Sequence, residues 1–380
     1  MMKVGLVTLW KRNYGSALQC YATKSAVEKL GYRCVPLFRT FPGVLRYTYY
    51  VGELFRVAAN SARYKNYLTN YVSLRAAGKK SICSLSAKSE SSLDQFVQTV
   101  LQPEGYSYIR LKEIGKSEEF AAFIAGSDQI WNGARRYDPV SFLEFVPNKK
   151  KIALAPSFGT EIEIYNKKPF ARAIKKFQYL SAREQDGAEK INDLTGRKAV
   201  RLSDPTALLS PNEWRDFSNS AKSAKGDYIF LHFLDTPCDD ALIAIDELRN
   251  ETGFSLVAFA YPHEEYNRVE GIRFYDGGVQ EYVKYIDHAR YVMTDSFHTT
   301  LFSIYFDTPF FTFHRQYMHN ASQTSRITNL LSLYGLEERL VADINTFRHI
   351  WNSKMEDCSV TREKEREKLT GYIKKSLANT

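Results

Sequence analysis

Along the chain, short apolar runs rich in β-branched and aromatic residues alternate with longer segments whose apolar positions recur every third or fourth residue. The runs read as buried strands, because a strand covered on both faces needs no polar alternation; the longer segments read as amphipathic helices. Residues 4–8 predict a strand, 16–30 a helix closed by Gly31, and 33–37 the next strand. This β–α–β opening calls for a parallel sheet with helices on its faces. Strands are expected again at 120–125, 152–155 and 200–202, and helices at 93–101, 169–177 and from Arg183 to 194. After a small, polar stretch at 222–226 the alternation restarts: strands at 228–233, 255–260, 291–293 and 310–313, with helices at 239–252, 279–289, 297–306 and 324–334. A charged helix over 362–376 completes the pattern.

At 380 residues the chain exceeds what one core sustains. The expected organisation is an N-terminal α/β unit (1–222) with a basic helical insertion at about 44–118, a second α/β unit (223–345), and a helical segment (346–380) that packs back on the first. Two such units leave a cleft at the carboxyl ends of their strands, where open α/β sheets hold ligands.

Four loops stand at those strand ends. Tyr291–Thr294 runs as a strand into the polar corner Asp295-Ser296 and then a helix carrying Phe297, His298, Thr299 and Leu301. Asp295 or Ser296 suits the N-cap, which puts His298 in the first turn, where free amides and the helix dipole favour an anion. Asn13-Tyr14-Gly15 follows the first strand, Gly126-Ser127-Asp128-Gln129-Ile130-Trp131-Asn132 follows strand 120–125, and Arg183 sits at a strand–helix junction. No G-x-G-x-x-G follows a strand, so the usual dinucleotide fingerprint is missing.

Composition narrows the picture. A net charge of +9 favours an anionic ligand, an acidic polymer or an anionic membrane face. Nucleic acid is not an expected partner, since no zinc-knuckle spacing or RNA-binding aromatic signature is present. The 5 cysteines lack metal-ligand spacing and read as buried thiols, and no metal is expected. No apolar run has membrane-spanning length and no signal peptide is visible, so a cytoplasmic protein is expected. Residues 44–90 carry eight Lys/Arg against two Glu, with aromatic and aliphatic residues at helical spacing. A solvated basic face is the first reading of that segment, and a peripheral contact with the inner face of the plasma membrane or a lipid-linked acceptor the second.

Asn13-Tyr14-Gly15-Ser16-Ala17-Leu18-Gln19-Cys20-Tyr21-Ala22, the Gly126–Asn132 loop, Ser181-Ala182-Arg183-Glu184, Asp204-Pro205-Thr206 and Thr294-Asp295-Ser296-Phe297-His298 occur in this order over roughly residues 3–335. In these five stretches the chain resembles the polysaccharide pyruvyl transferases. The resemblance implies an α/β, GT-B-like fold with two Rossmann-like units facing a central cleft. It also implies transfer of a pyruvyl group from phosphoenolpyruvate to two hydroxyls of a sugar in a surface or extracellular polysaccharide precursor, as a cyclic ketal. Phosphoenolpyruvate is then a co-substrate, and no further cofactor is needed.

The resemblance carries Arg183 and His298 over as donor-associated residues, with Ser296, Phe297 and Thr299 beside them. Thr299 departs from the glycine usual after the histidine. Arg183 suits a bidentate grip on phosphate or carboxylate, and imidazoles, which titrate near about 6.5 in water, can pass a proton at neutral pH. Asp128 and Asp295 are the carboxylates expected to shuttle protons or orient His298. Asn13, Tyr14, Gly126, Ser127, Gln129, Trp131, Asn132 and His263 are the expected acceptor or cleft residues. A nucleotide-sugar glycosyltransferase of the same fold and a non-catalytic glycan-binding relative are the competing readings. Acceptor identity and oligomeric state are not legible in the sequence.

Overall fold

The computed structural model describes residues 1–11, 13–41, 84–133, 137–162, 164–315 and 321–380. The expected basic helices of 44–90 therefore fall mostly outside the described residues.

Two parallel sheets carry the fold. The first comprises β1 (Lys3–Val7), β2 (Arg33–Arg39), β3 (Glu104–Tyr106), β4 (Phe120–Ala125) and β5 (Lys151–Ala153), in the order β3-β2-β1-β4-β5. β6 (Ser181–Ala182) and β7 (Val200–Arg201) form a two-stranded parallel sheet next to β5, which the Ile152–Tyr179 bridge connects. The second large sheet comprises β8 (Tyr228–His232), β9 (Ser255–Phe259), β10 (Ile272–Tyr275), β11 (Tyr291–Thr294), β12 (Phe310–Phe313) and β13 (Leu340–Val341), ordered β10-β9-β8-β11-β12-β13. In the second sheet the order reverses direction at β8/β11, the doubly wound arrangement that opens a crevice at the strand carboxyl ends. The central strands β4 and β8, Phe-Ala-Ala-Phe-Ile-Ala and Tyr-Ile-Phe-Leu-His, are apolar almost throughout because helices cover both faces.

The helices that matter for the site are α1 (Tyr14–Lys29), α2 (Ala87–Phe96), α3 (Tyr108–Lys116), α4 (Ile164–Ile174), α5 (Gln185–Thr195), α6 (Pro211–Ser218), α7 (Asp239–Thr252), α8 (Val279–Asp287), α9 (Phe297–Phe306), α10 (Ala321–Tyr334), α11 (Ile344–Ile350) and α12 (Ser359–Ala378). Among the described residues three apolar clusters form. One lies on the outer face of each sheet, and the third runs between the sheets, from Leu6 and Leu18 through Phe230 and Phe302 to Leu369 and Ile373. The helical C-terminal segment packs back as expected. Tyr372 Oη donates to the Ala153 carbonyl at 2.9 Å, Glu365 takes both Arg201 nitrogens at 2.7 and 2.6 Å, and Arg362 holds Asp307 at the end of α9 at 2.9 Å.

Three differences from the sequence reading have local causes. The serine-rich residues before 93 are helix, because Ser86 caps α2 by accepting from Ser89 N at 3.2 Å, and one π-turn (Val97–Leu101) then extends it. Within the expected insertion, Glu104–Tyr106 is an edge strand of the first sheet. β10 and β13 escape the pattern because they are short edge strands only partly buried. Residues 222–226 lie between α6 and β8, outside regular structure. No described helix is long and apolar enough to cross a membrane.

Candidate active site

The loop from β11 to α9 is built by two carboxylate and hydroxyl contacts. Ser296 is the N-cap: its Oγ accepts from Thr299 N at 3.4 Å. Asp295 turns the other way. Its two oxygens accept from Leu234 N at 2.7 Å and Asp235 N at 2.9 Å, and Arg315 Nε approaches at 3.3 Å. Asp295 therefore ties the end of β11 to the loop after β8, and the expectation that it shuttles protons or orients His298 is replaced by this structural role. Thr299 also faces inward, its hydroxyl between Tyr282 Oη and His232 Nδ1, 2.9 Å from each. It sits in the core and contributes no group to the cleft.

His298 is buried in the first turn of α9, and the first turn of α1 lies against it. A Cβ built on Gly15 would come within 2.1 Å of His298 Cγ and Nδ1. Only a residue without a side chain lets the two helix starts approach this closely. Asn13 caps α1 by accepting from Ser16 N at 2.9 Å. The Ser16 hydroxyl donates to Asp128 Oδ2 at 2.6 Å.

Arg183, one residue past β6, is only 5% exposed. Nε donates to Glu184 Oε1 at 2.8 Å and Nη1 to Asp204 Oδ2 at 3.0 Å, while Nη2 is buried with no hydrogen-bond partner. Its guanidinium lies 4.4 Å from the centroid of Phe297, the residue before His298. His298 Nε2 stands 3.7 Å from the same Asp204 oxygen, ion-pair range but too far for a hydrogen bond. The resemblance calls for Arg183 and His298 to face each other across a phosphate-sized space; instead both reach the same Asp204 oxygen, which stands between them.

Asp204 and Glu184 are functional candidates that carried no role in the sequence reading, although both lie in the matching stretches. Asp204 Oδ1 accepts from Thr206 N and Oγ1, each at 3.0 Å, and Oδ2 also accepts from Ser127 Oγ at 3.3 Å. Glu184 Oε1 takes a second hydrogen bond from Ser157 at 2.9 Å. Burial acts to raise the Asp204 pKa, but His298 and Arg183 outweigh it and hold the carboxyl well below the usual range. Asp128 is shifted down as well: burial opposes, while His298, Arg183 and the Ser16 hydroxyl prevail. Burial would lower the Arg183 pKa, yet Glu184, Asp204 and Asp128 raise it. These are buried charges stabilised by partners, the condition under which ionised groups survive away from water.

A cavity of about 280 Å³ opens beside this cluster, walled by Arg183, Glu184, Asp204, Phe297, Arg326 and Asn329 among others. His298 is not in its wall and reaches it only past Asp204. Arg326, on α10, is buried and lies 6.0 Å from the Phe297 centroid. Sequence reasoning passed over it because a lone arginine on an amphipathic helix reads as solvent-facing.

The remaining expected cleft residues divide. Ser127, Asp128 and Gln129 border the charged cluster. Gly126 permits close packing of the β4 end on Thr8, whose Cβ would be 2.7 Å from an added Cβ. The Asn132 and Gln129 side-chain amides stand 3.0 Å apart. Trp131, Tyr14 and His263 do not line the cavity. Trp131 is fully buried, stacked on Phe142 at 5.2 Å, with Nε1 donating to Ser141 O at 3.0 Å. Tyr14 packs its ring on Tyr282 at 5.1 Å and donates to the Gly277 carbonyl, joining the two halves. His263 is held by the Phe233 carbonyl, 2.8 Å from Nε2. In each case the side chain is spent on packing that local sequence does not reveal.

Comparison with known proteins agrees with this architecture. UDP-GlcNAc 2-epimerase from Methanocaldococcus jannaschii superposes with a TM-score of 0.52 at 10% identity, covering 98% of this chain and 100% of that one. The corresponding epimerase from Rickettsia bellii gives 0.49 at 11% identity over 100% and 96% of the two chains. Acinetobacter baumannii MurG gives 0.47 at 8% identity over 100% of both. At 10% identity the first of these speaks to the fold alone, which is GT-B-like. No curated protein sequence matches the chain. The family model for polysaccharide pyruvyl transferase matches residues 13–317, from the cap of α1 through the Arg183–Asp204 and Asp295–His298 elements, and the chain belongs to that family.

Proposed function

We propose that the protein transfers a pyruvyl group from phosphoenolpyruvate to two hydroxyls of a saccharide acceptor, releasing phosphate and leaving a cyclic ketal. The observation that carries this reading is the convergence of Arg183 Nη1 and His298 Nε2 on one Asp204 oxygen, at 3.0 and 3.7 Å, beside a cavity of about 280 Å³. That volume lies at the small end for ligand pockets and suits a three-carbon donor more readily than a complete nucleotide sugar.

The chemistry balances on these groups. A proton adds to the methylene carbon of the enol phosphate, leaving positive charge on C2. A first sugar hydroxyl bonds to C2 and gives up its proton; the C2–O bond to phosphate breaks; a second hydroxyl closes the ring and gives up its proton in turn. Of the two hydroxyl protons, one replaces that added to the methyl group and one leaves with phosphate. His298, in the field of Asp204 and with Nε2 free of hydrogen bonds, is assigned the proton that reaches carbon. Arg183, whose Nη2 is unspent, is assigned an anionic group of the donor. Asp128 is assigned acceptance of a hydroxyl proton. A bound donor has to reach past Asp204 to meet His298, so turnover requires local movement there.

In this reading the acceptor is a polysaccharide precursor presented at the cytoplasmic side of the plasma membrane. The test is phosphate release from phosphoenolpyruvate with a defined diol saccharide. His298→Ala and Arg183→Ala should each abolish it, and near-wild-type turnover in either variant removes the assignment. Calorimetric titration with phosphoenolpyruvate against a uridine diphosphate separates this reading from a nucleotide-sugar transferase.

A further inference from the structure

Arg326 stands outside all five stretches that mark the family resemblance, yet it is among the most constrained cations in the molecule. Only 8% of it is exposed, it shares the cavity wall with Arg183, and both guanidiniums lie over the Phe297 ring, at 6.0 and 4.4 Å from its centroid. Two buried guanidiniums around one cavity need negative charge close by, and Glu184 and Asp204, in the same wall, supply it to Arg183. Glu184 and Asp204 take Nε and Nη1 of Arg183, which leaves its Nη2 directed at no protein acceptor.

Arg326 is held from the other half of the molecule. With the Gln129 amide oxygen turned towards it, that oxygen accepts from Nη1 at 2.9 Å and from Nη2 at 2.8 Å. Gln129 itself can occupy this position because Gly159, at φ +63°, has no side chain: an added Cβ would meet Gln129 Cδ at 2.6 Å. The Gln129 amide adds no charge of its own to this site. Burial and the repulsion of Arg183 bring the Arg326 pKa down to about 10, partly offset by Glu184 and Asp128, so it remains cationic at neutral pH.

We propose that Arg326, presented by Gln129, is the second guanidinium of the cavity's anion site and, with Arg183, selects a ligand bearing two anionic groups. The proposal rests on the donor reading above only in naming that ligand as phosphoenolpyruvate, whose carboxylate and phosphate supply the two groups.

Full-length wild type, Arg326→Gln, Arg326→Lys and Gln129→Ala are titrated calorimetrically with phosphoenolpyruvate, inorganic phosphate and pyruvate, with thermal midpoints measured alongside. Arg326→Gln should weaken phosphoenolpyruvate binding at least tenfold, and Arg326→Lys, which keeps the charge but loses the fork, by an intermediate factor. Gln129→Ala should raise the KM for phosphoenolpyruvate severalfold while kcat stays within about twofold. Comparable binding by wild type and a folded Arg326→Gln overturns the inference and leaves the donor reading intact. If Arg326→Gln does not fold, unchanged binding by Arg326→Lys together with an unchanged KM in Gln129→Ala overturns it equally. If wild type takes phosphate in an Arg326-dependent way but not phosphoenolpyruvate, the anion site stands and the donor reading fails; if it takes neither, both fail.

Discussion

Gly15 and His298 occupy contiguous space: a Cβ on residue 15 would stand 2.1 Å from the imidazole of residue 298. The contact joins the first turn of a helix in the first half to the first turn of a helix in the second, so Gly15 sets where His298 can be. Gly15→Ala should displace the ring from its present place beside Asp204. Because misplacing a reacting group by about 1 Å can cost about 100-fold in rate, kcat is expected to fall by about that factor. On the proposed donor site, where the arginines hold phosphoenolpyruvate, its KM should change less. Steady-state kinetics decide, and a Gly15→Ala enzyme of wild-type kcat contradicts the placement.

Asp204 is the counter-ion of Arg183 and stands 3.7 Å from His298 Nε2, so removing its charge should cost more than removing either contact alone. Breaking a buried pair from one side typically costs about 3–5 kcal/mol, because it strands a buried charge. Asp204→Asn is expected to lose stability on that order at pH 7 by chemical denaturation. The folded-state pKa of Asp204 is depressed, so its contribution is complete above the unfolded value, about 3.9, and is lost as pH falls towards the folded one. The deficit of Asp204→Asn relative to wild type should therefore narrow below about pH 4. A constant deficit down to acid would show that the carboxylate's charge is not what stabilises this site.

Much of the fold is legible because central parallel strands are buried on both faces: Phe120–Ala125 and Tyr228–His232 announce themselves as apolar runs, and Asn13 and Ser296 announce the helix starts. Edge strands such as Ile272–Tyr275 do not, since half their side chains meet solvent. At the site, Arg183 and His298 are legible from motif and helix position. Whether a side chain points to the cleft or the core is a tertiary fact, and this is why Trp131, Tyr14, His263 and Thr299 turn inward against expectation. Arg326 is hidden for the same reason: what marks it is Gln129, from a loop far away in sequence.

Asp295 and His298, three residues apart, should separate cleanly by experiment. Asp295 accepts two backbone N–H groups after β8 and faces Arg315. Asp295→Asn keeps one acceptor and should cost about 1–3 kcal/mol of stability, the range for a buried group left unsatisfied. Its kcat should stay within a few-fold of wild type, whereas His298→Ala loses turnover without comparable destabilisation. Loss of turnover in a stable Asp295→Asn protein would restore a catalytic role to Asp295.

His232 supplies a pH dependence that does not involve the donor site. It is 2% exposed, shares a hydrogen bond with Thr299 through Nδ1, and leaves Nε2 buried without a partner. Burial, with smaller contributions from His263 and Arg315, lowers its pKa to about 3. The folded chain therefore keeps this ring neutral where an unfolded chain, with a histidine pKa near about 6.5, takes up a proton. Its contribution to stability is complete above about pH 6.5 and declines as pH falls towards 3, reaching a loss of about 3 kcal/mol near pH 4.5 by linkage. His232→Gln removes the titrating group, so its unfolding free energy should fall less than that of wild type between pH 7 and pH 4.5. It will start from a lower value at pH 7, because the Thr299–Tyr282 network loses its ring. Urea denaturation at the two pH values measures the difference of slopes, and parallel losses in the two proteins would exclude His232 as the acid-sensitive group.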